Sequence, residues 1–211
     1  MKEVICTLQD IKKQYPAQSP TLNGISLELY ANEVLGVRGN NGTGKSTLLG
    51  ILAGVIEADE GSCHFAEGIE EHRSYVPQDL SLYESLSGAE NLKFWGLAYG
   101  MSKEQIAIRS RWLLEQLGLS DKAQSAVSAY SGGMKRRLHL ATALMQTPKL
   151  LLLDEPTVGS DALSAKQIME MILRLKNQGT TIVLTTHQSG ELESISDRIL
   201  DLHAGQISEV K

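Results

Sequence analysis

Glycine, lysine and hydroxyl residues are interleaved between positions 39 and 47 at a spacing that suits phosphate. In Gly39-Asn40-Asn41-Gly42-Thr43-Gly44-Lys45-Ser46-Thr47, the glycines let backbone amides turn inward around phosphate oxygens. Lys45 reaches the terminal phosphates, and the Ser46 hydroxyl can enter a Mg²⁺ shell. A second constellation follows an aliphatic run: Leu150-Leu151-Leu152-Leu153-Asp154-Glu155 delivers two adjacent carboxylates. One can hold Mg²⁺ through its waters, and the next can accept a proton from an attacking water. A third is Ser131-Gly132-Gly133, followed by Met134-Lys135-Arg136-Arg137-Leu138. It reads as a helix start beside glycines, hence a second potential anion site, although a serine N-cap alone explains the stretch. Lys135, Arg136 and Arg137 are most simply a solvated helix face.

These residues need elements to hold them. Val4, Cys6 and Leu8 recur at every second position, as do Ile25, Leu27 and Leu29, which signals two strands. After the turn at Ala31-Asn32-Glu33, the segment Val34-Leu35-Gly36-Val37 is a buried strand feeding the glycine loop, and Ser46 to Ala53 is a proline-free helix. Residues 61 to 79 read as irregular or β, ending in Tyr75-Val76-Pro77. Ser87 with Glu90, and Ser102 with Gln105, are capping-box pairs announcing two helices, the second stopping at Gly118. The four leucines from Leu150 form a fully buried strand. A helix through Ile168, Ile172 and Leu175 ends at Gly179, the strand Thr181 to Thr186 follows, and a last helix and hairpin close at His203-Ala204-Gly205. Buried strands separated by helices predict an α/β fold with a mostly parallel sheet covered on both faces. The expected division is an α/β core over about 1–79 and 146–211 with an inserted helical subdomain over about 80–145.

The chain has 211 residues, 42% hydrophobic and 21% charged, and a net charge of −5 with a sequence pI near 5.6. That balance lacks the basic footprint of a nucleic-acid binder, and no nucleic-acid partner is expected. No aliphatic run approaches the roughly 18 residues of a spanning helix, and Met1-Lys2-Glu3-Val4 gives no expectation of a secretory signal. Cys6 and Cys63 sit in unrelated contexts with no metal-type spacing. His64, His72, His139 and His203 receive no role.

The ordered set of motifs resembles the nucleotide-binding subunit of an ABC transporter: the glycine loop, Tyr130-Ser131-Gly132-Gly133-Met134, Leu150 through Glu155 with Pro156-Thr157, and Thr185-Thr186-His187. The resemblance covers essentially the whole chain. It implies a P-loop NTPase core with an N-terminal antiparallel β portion. It also implies that Gln78 is the glutamine of the loop joining the core to the helical subdomain, a ligand of the metal and a contact to the nucleotide. Tyr15 would stack on adenine, Asp161 is the aspartate following the Walker B segment, and His187 is the switch histidine. The signature departs from the usual pattern, with Tyr130 for Leu and Met134 for Gln. That variant resembles exporters of drugs, lipids, polysaccharides and antimicrobial peptides.

The resemblance therefore implies an ATPase with ATP and Mg²⁺ at its site, Asp154 and Ser46 on the metal, and Glu155 polarising the water. An integral membrane permease on a separate chain would dock near Gln78 and Leu80 to Ser87. A second copy of the chain would close an ATP-dependent dimer, and the protein would be cytoplasmic and peripheral to the inner face of the membrane. The rival is a soluble ABC-type ATPase in a cytosolic assembly such as iron–sulfur cluster biogenesis. Too few residues separate Gln78 from Ser131 for the long coiled coils of DNA-organising members. Translation-factor members carry two ATPase units, and a small P-loop kinase or GTPase leaves the Ser131 site unexplained.

Overall fold

The computed structural model describes residues 2–16, 21–186 and 189–211. In chain order its strands are β1 (Val4–Lys13), β2 (Leu22–Tyr30), β3 (Val34–Arg38), β4 (Glu60–Phe65), β5 (Arg73–Val76), β6 (Leu150–Asp154), β7 (Thr181–Thr185), β8 (Arg198–His203) and β9 (Gln206–Glu209). The helices are α1 (Lys45–Ala53), α2 (Gly88–Ala98), α3 (Lys103–Gln116), α4 (Gly132–Ala143), α5 (Ala162–Asn177) and α6 (Ser189–Ile195). Strands β2-β1-β4 form an antiparallel sheet, and β5-β6-β7-β3-β8-β9 form a second sheet. The second is parallel through β8 and ends in the antiparallel β8–β9 hairpin.

β6 shows why this sheet is covered on both faces. Leu150 and Leu152 point into a core shared with Leu8 and Leu29 of the antiparallel sheet and Leu48 of α1. Leu151 and Leu153 point the other way, into a core with Leu92 of α2, Leu138 of α4 and Ile168 of α5. Each leucine is fully buried, worth roughly 1.5–3 kcal/mol of transfer free energy. Residues 88–143 thus supply helices that share a core with one face of the sheet. Both expected capping boxes form: Ser87 Oγ accepts from the Glu90 amide while Glu90 accepts from the Ser87 amide, and Ser102 and Gln105 do the same.

Two N-terminal details differ from the period-two reading. Val4 is exposed while Ile5 and Cys6 are both buried, because the β1–β2 register shifts between Val4 and Cys6. Cys6 and Cys63 are also neighbours. β4 places Cys63 opposite Leu8 and Phe65 opposite Cys6, so the two free thiols lie diagonally with Sγ atoms 3.6 Å apart.

The topology sets up the site. β7 lies between β3 and β6, and Thr185 at its end pairs with Val37 on one side and Asp154 on the other. The glycine loop leaving β3 and the carboxylates leaving β6 therefore emerge at one edge, one strand apart, where ligands bind in parallel α/β sheets. Because β6 feeds both cores, Leu151→Ala and Leu152→Ala are each expected to lower unfolding stability by about 2–5 kcal/mol in urea. A loss below about 1 kcal/mol for either would contradict this packing.

Candidate functional site

At that edge lies a cleft of about 400 Å³ whose lining includes Tyr15, Thr21, Asn41, Gly42, Gly44, Lys45, Ser46, Thr47, Gln78, Glu155 and Val158. Its floor is the N-terminus of α1. Helices α2 to α5 are each capped by a side chain, from Ser87, Ser102, Ser131 and Asp161 respectively. α1 is not: Gly44 stands at its N-cap with no side-chain hydrogen bond, and no acidic residue lies in its first turn. The first turn thus presents amide donors and the positive end of the helix dipole to the cleft. Gly44 has φ +104°, and a Cβ there would lie 2.8 Å from the Thr21 carbonyl oxygen, so both backbone and space demand glycine.

Lys45 is 5% exposed. Its ammonium donates to the Gly39 and Asn40 carbonyls at 2.9 and 3.2 Å and lies 3.7 Å from Glu155 Oε1. The Thr43 hydroxyl donates to the Asn40 carbonyl at 2.9 Å and braces the same turn. Opposite stand Asp154 and Glu155, both buried. Thr185 Oγ1 donates to Asp154 Oδ1 at 2.6 Å and accepts from the Glu155 amide at 3.0 Å, so one hydroxyl fixes both carboxylate-bearing residues. Glu155 has φ +48°, a conformation that non-glycine residues pay to adopt and that turns its side chain towards Lys45. Burial, and then the Asp154 charge, push the Tyr75 phenol up to about 12. Ser46, Gln78 and Asp154 offer hydroxyl, amide and carboxylate oxygens. That hard donor set suits Mg²⁺, which keeps several waters and takes few protein ligands.

Not every anticipated residue reaches this cleft. Ser131 caps α4, accepting from the Met134 amide at 3.2 Å, and Ser131 and Gly132 are exposed and do not line the cleft. Gly133 packs there on Asp161 and Ser164, which a Cβ would strike. Asp161 caps α5, accepting from the Ser164 amide and hydroxyl at 3.0 and 2.8 Å; these bonds hold its carboxyl below its ordinary value. His187 lies outside the described residues.

The basic run after Gly133 is not a solvated face. Arg137 is buried, donating to the Leu117, Gly118 and Gly133 carbonyls, and Lys135 pairs with Glu84. Arg136 donates from Nε to the Val158 carbonyl at 3.1 Å and from its guanidinium to the Gln78 carbonyl. His139 is 3% exposed, and its Nε2 accepts from the Ser81 amide at 3.3 Å. A sequence signal existed: Gly132, Arg136 and His139 fall at spacings of four and three, one stripe along a helix.

The ABC transporter family profile matches residues 22–158. The chain belongs to the ABC transporter family. It is 37% identical over 207 residues to the linearmycin resistance ATP-binding protein LnrL of Bacillus subtilis, covering 94% of this chain and 66% of that protein. It is 31% identical over 216 residues to the macrolide export ATP-binding/permease protein MacB of Escherichia coli K12, covering 95% of this chain and 33% of that one. Among solved structures, an ATP-binding cassette described as dimeric, in a post-hydrolysis state with ADP and Pi, superposes with TM-score 0.89 at 25% identity over 98% of both chains. An ATP-binding subunit of an ABC transporter gives 0.86 at 28% identity, over 98% of this chain and 90% of that one. This ABC chain thus spans just under two thirds of the Bacillus relative's length and a third of MacB's.

Burial, and then the Arg136 charge, lower the His139 pKa to about 4. Because the folded value is depressed, the unfolded chain binds the proton first as pH falls. His139 therefore removes stability between its unfolded value near 6.5 and about 4, by on the order of 3 kcal/mol in full. In an NMR titration the His139 imidazole should stay neutral to about pH 4, and a midpoint above 6 would contradict the buried Ser81 contact.

Proposed function

We propose that this chain binds and hydrolyses ATP and thereby drives a separate membrane permease in the direction of export. The observation that carries the reading is the uncapped N-terminus of α1, with buried Lys45 facing Glu155 across the cleft. Few ligands other than a polyphosphate would match a helix terminus, a buried ammonium and hard oxygen donors at once.

In this reading the amides from Gly39 to Thr47 and the Lys45 ammonium hold the β- and γ-phosphate oxygens, Tyr15 stacks on adenine, and Asp161 serves the nucleotide from the α5 end. Ser46, Asp154 and Gln78 would hold Mg²⁺, which when bound offsets negative charge on the phosphates. Glu155 takes a proton from the attacking water. The water oxygen bonds to the γ-phosphorus as the bond to the ADP oxygen breaks. His187 steadies the γ-phosphate. Such chemistry requires positioning and charge stabilisation more than covalent catalysis.

The division into a core over 1–79 and 146–211 and a helical part over 80–145 belongs to the same reading, because each part presents a different surface. Ser131 and Gly132 are exposed at an α4 terminus and are not among the residues that line the Lys45 cleft, which suits contact with the nucleotide of a second copy across a two-fold axis. The dimeric state of one structural relative supports that pairing. Leu80, Tyr83, Phe94 and Leu97 are exposed near one another, with the Tyr83 and Phe94 rings 4.6 Å apart edge to face. That apolar patch suits a permease segment. No helix among the described residues is long and apolar enough to cross a membrane, so membrane association would come through the permease. The words resistance in the name of LnrL and export in that of MacB favour the exporter direction.

Lys45→Ala should abolish detectable ATPase turnover and weaken ATP binding sharply in titration calorimetry; near-normal turnover would defeat the site assignment. Glu155→Gln keeps size and hydrogen bonding but removes the base. It is expected to elute as a dimer with ATP and as a monomer with ADP in size exclusion. A monomer with ATP demonstrably bound, at every protein concentration, would refute the paired arrangement.

A further inference from the structure

α4 begins at the exposed Ser131 turn and runs behind the cleft. One turn in, Arg136 is half-buried and bonds to two backbone carbonyls, those of Gln78 and Val158. Both residues line the cleft, from opposite segments: Gln78 follows β5 and Val158 follows β6. Burial lowers the guanidinium pKa, yet among the described residues no ion pair compensates Arg136; Asp79 and Glu155 act on it only as nearby charges. A desolvated cation bound to two carbonyls is costly to keep as surface decoration, and the rigid guanidinium fork can hold two acceptors that a lysine ammonium on a flexible stem cannot fix together. One turn further on, His139 receives the Ser81 amide, so α4 grips the Gln78–Ser81 backbone at two points.

We propose that Arg136 is a positioning residue for the hydrolytic reaction. It ties the Gln78 and Val158 backbones to α4, so that the Gln78 amide and the segment after Glu155 are held together at the nucleotide. Arg136 does not line the cleft, and its effect passes through those two carbonyls. Its loss should spare nucleotide binding, which Lys45 and α1 provide, and impair the chemical step, which needs Gln78 and Glu155 in place together. This inference rests on the ATPase reading above.

The test compares the parent protein with Arg136→Lys and Arg136→Met for ADP affinity by calorimetry, thermal midpoint, and kcat and KM for ATP. For Arg136→Met, kcat should fall about 10-fold or more, with ADP affinity within about two-fold of the parent. Arg136→Lys, which keeps the charge but gathers its donors on one nitrogen, should fall in between, and it carries the test if the methionine variant does not fold. Turnover within two-fold of the parent in both variants would overturn the role of Arg136 and leave the ATPase reading standing. So would a kcat loss matched by equal losses of ADP affinity and thermal stability, which marks a purely structural staple. A parent protein that binds ATP without turnover would instead overturn the ATPase reading, and this role with it.

Discussion

Much of the structure depends on placing one ammonium group out of water. Lys45 is buried at the start of α1, and its firm partners are two backbone carbonyls, with the Glu155 carboxylate at 3.7 Å. Two carbonyls and a loosely placed carboxylate give a buried cation less than a close, fully hydrogen-bonded ion pair would. The same helix terminus keeps its first-turn amides without a side-chain cap. The fold therefore holds a concentration of positive potential beside buried carboxylates that a polyphosphate with its metal ion would balance. This local expense in stability is the kind that binding and catalytic sites carry.

Keeping the site open requires rigid walls, and the sheet supplies them. β7 separates β3 from β6, and its last residue, Thr185, organises Asp154 and Glu155 through one hydroxyl. The leucines of β6 anchor the strand in two cores, so the carboxylates sit at the end of a firmly held element. α4 links this edge to an exposed turn: its N-terminus is exposed at Ser131 and its inner stripe grips the chain at Gln78 and Ser81. Mechanical continuity from one surface to another follows from that placement of bonds.

The parts legible in the sequence are those governed by local rules. The glycine loop, both capping boxes, the β6 leucines and the closing hairpin each follow from residue type and spacing within a few positions. Contacts decided by register or by tertiary packing were not legible. Cys6 and Cys63 are 57 positions apart and meet only because β1 and β4 pair diagonally. Val4 loses its place on the inner face to a register shift that no alternation pattern reveals. Charge alone makes Lys135, Arg136 and Arg137 read as solvent-facing, yet long side chains bury readily when backbone carbonyls at loop ends await donors. The spacing of Gly132, Arg136 and His139 puts His139 on one stripe of the helix, but its partner is not legible there, because it is a backbone amide and Ser81 is 58 positions away.

The central claim is that phosphate recognition by Lys45 and the α1 terminus supplies the affinity of the cleft, with adenine stacking secondary. Titration calorimetry of the unmodified protein with ATP, ADP and adenosine, in the presence of Mg²⁺, tests it most directly. ATP and ADP should bind with enthalpies dominated by charge-assisted hydrogen bonds, and adenosine should bind at least about 100-fold more weakly, a difference of about 2.7 kcal/mol. Adenosine binding as tightly as ATP would contradict the claim and move recognition away from the phosphate cradle.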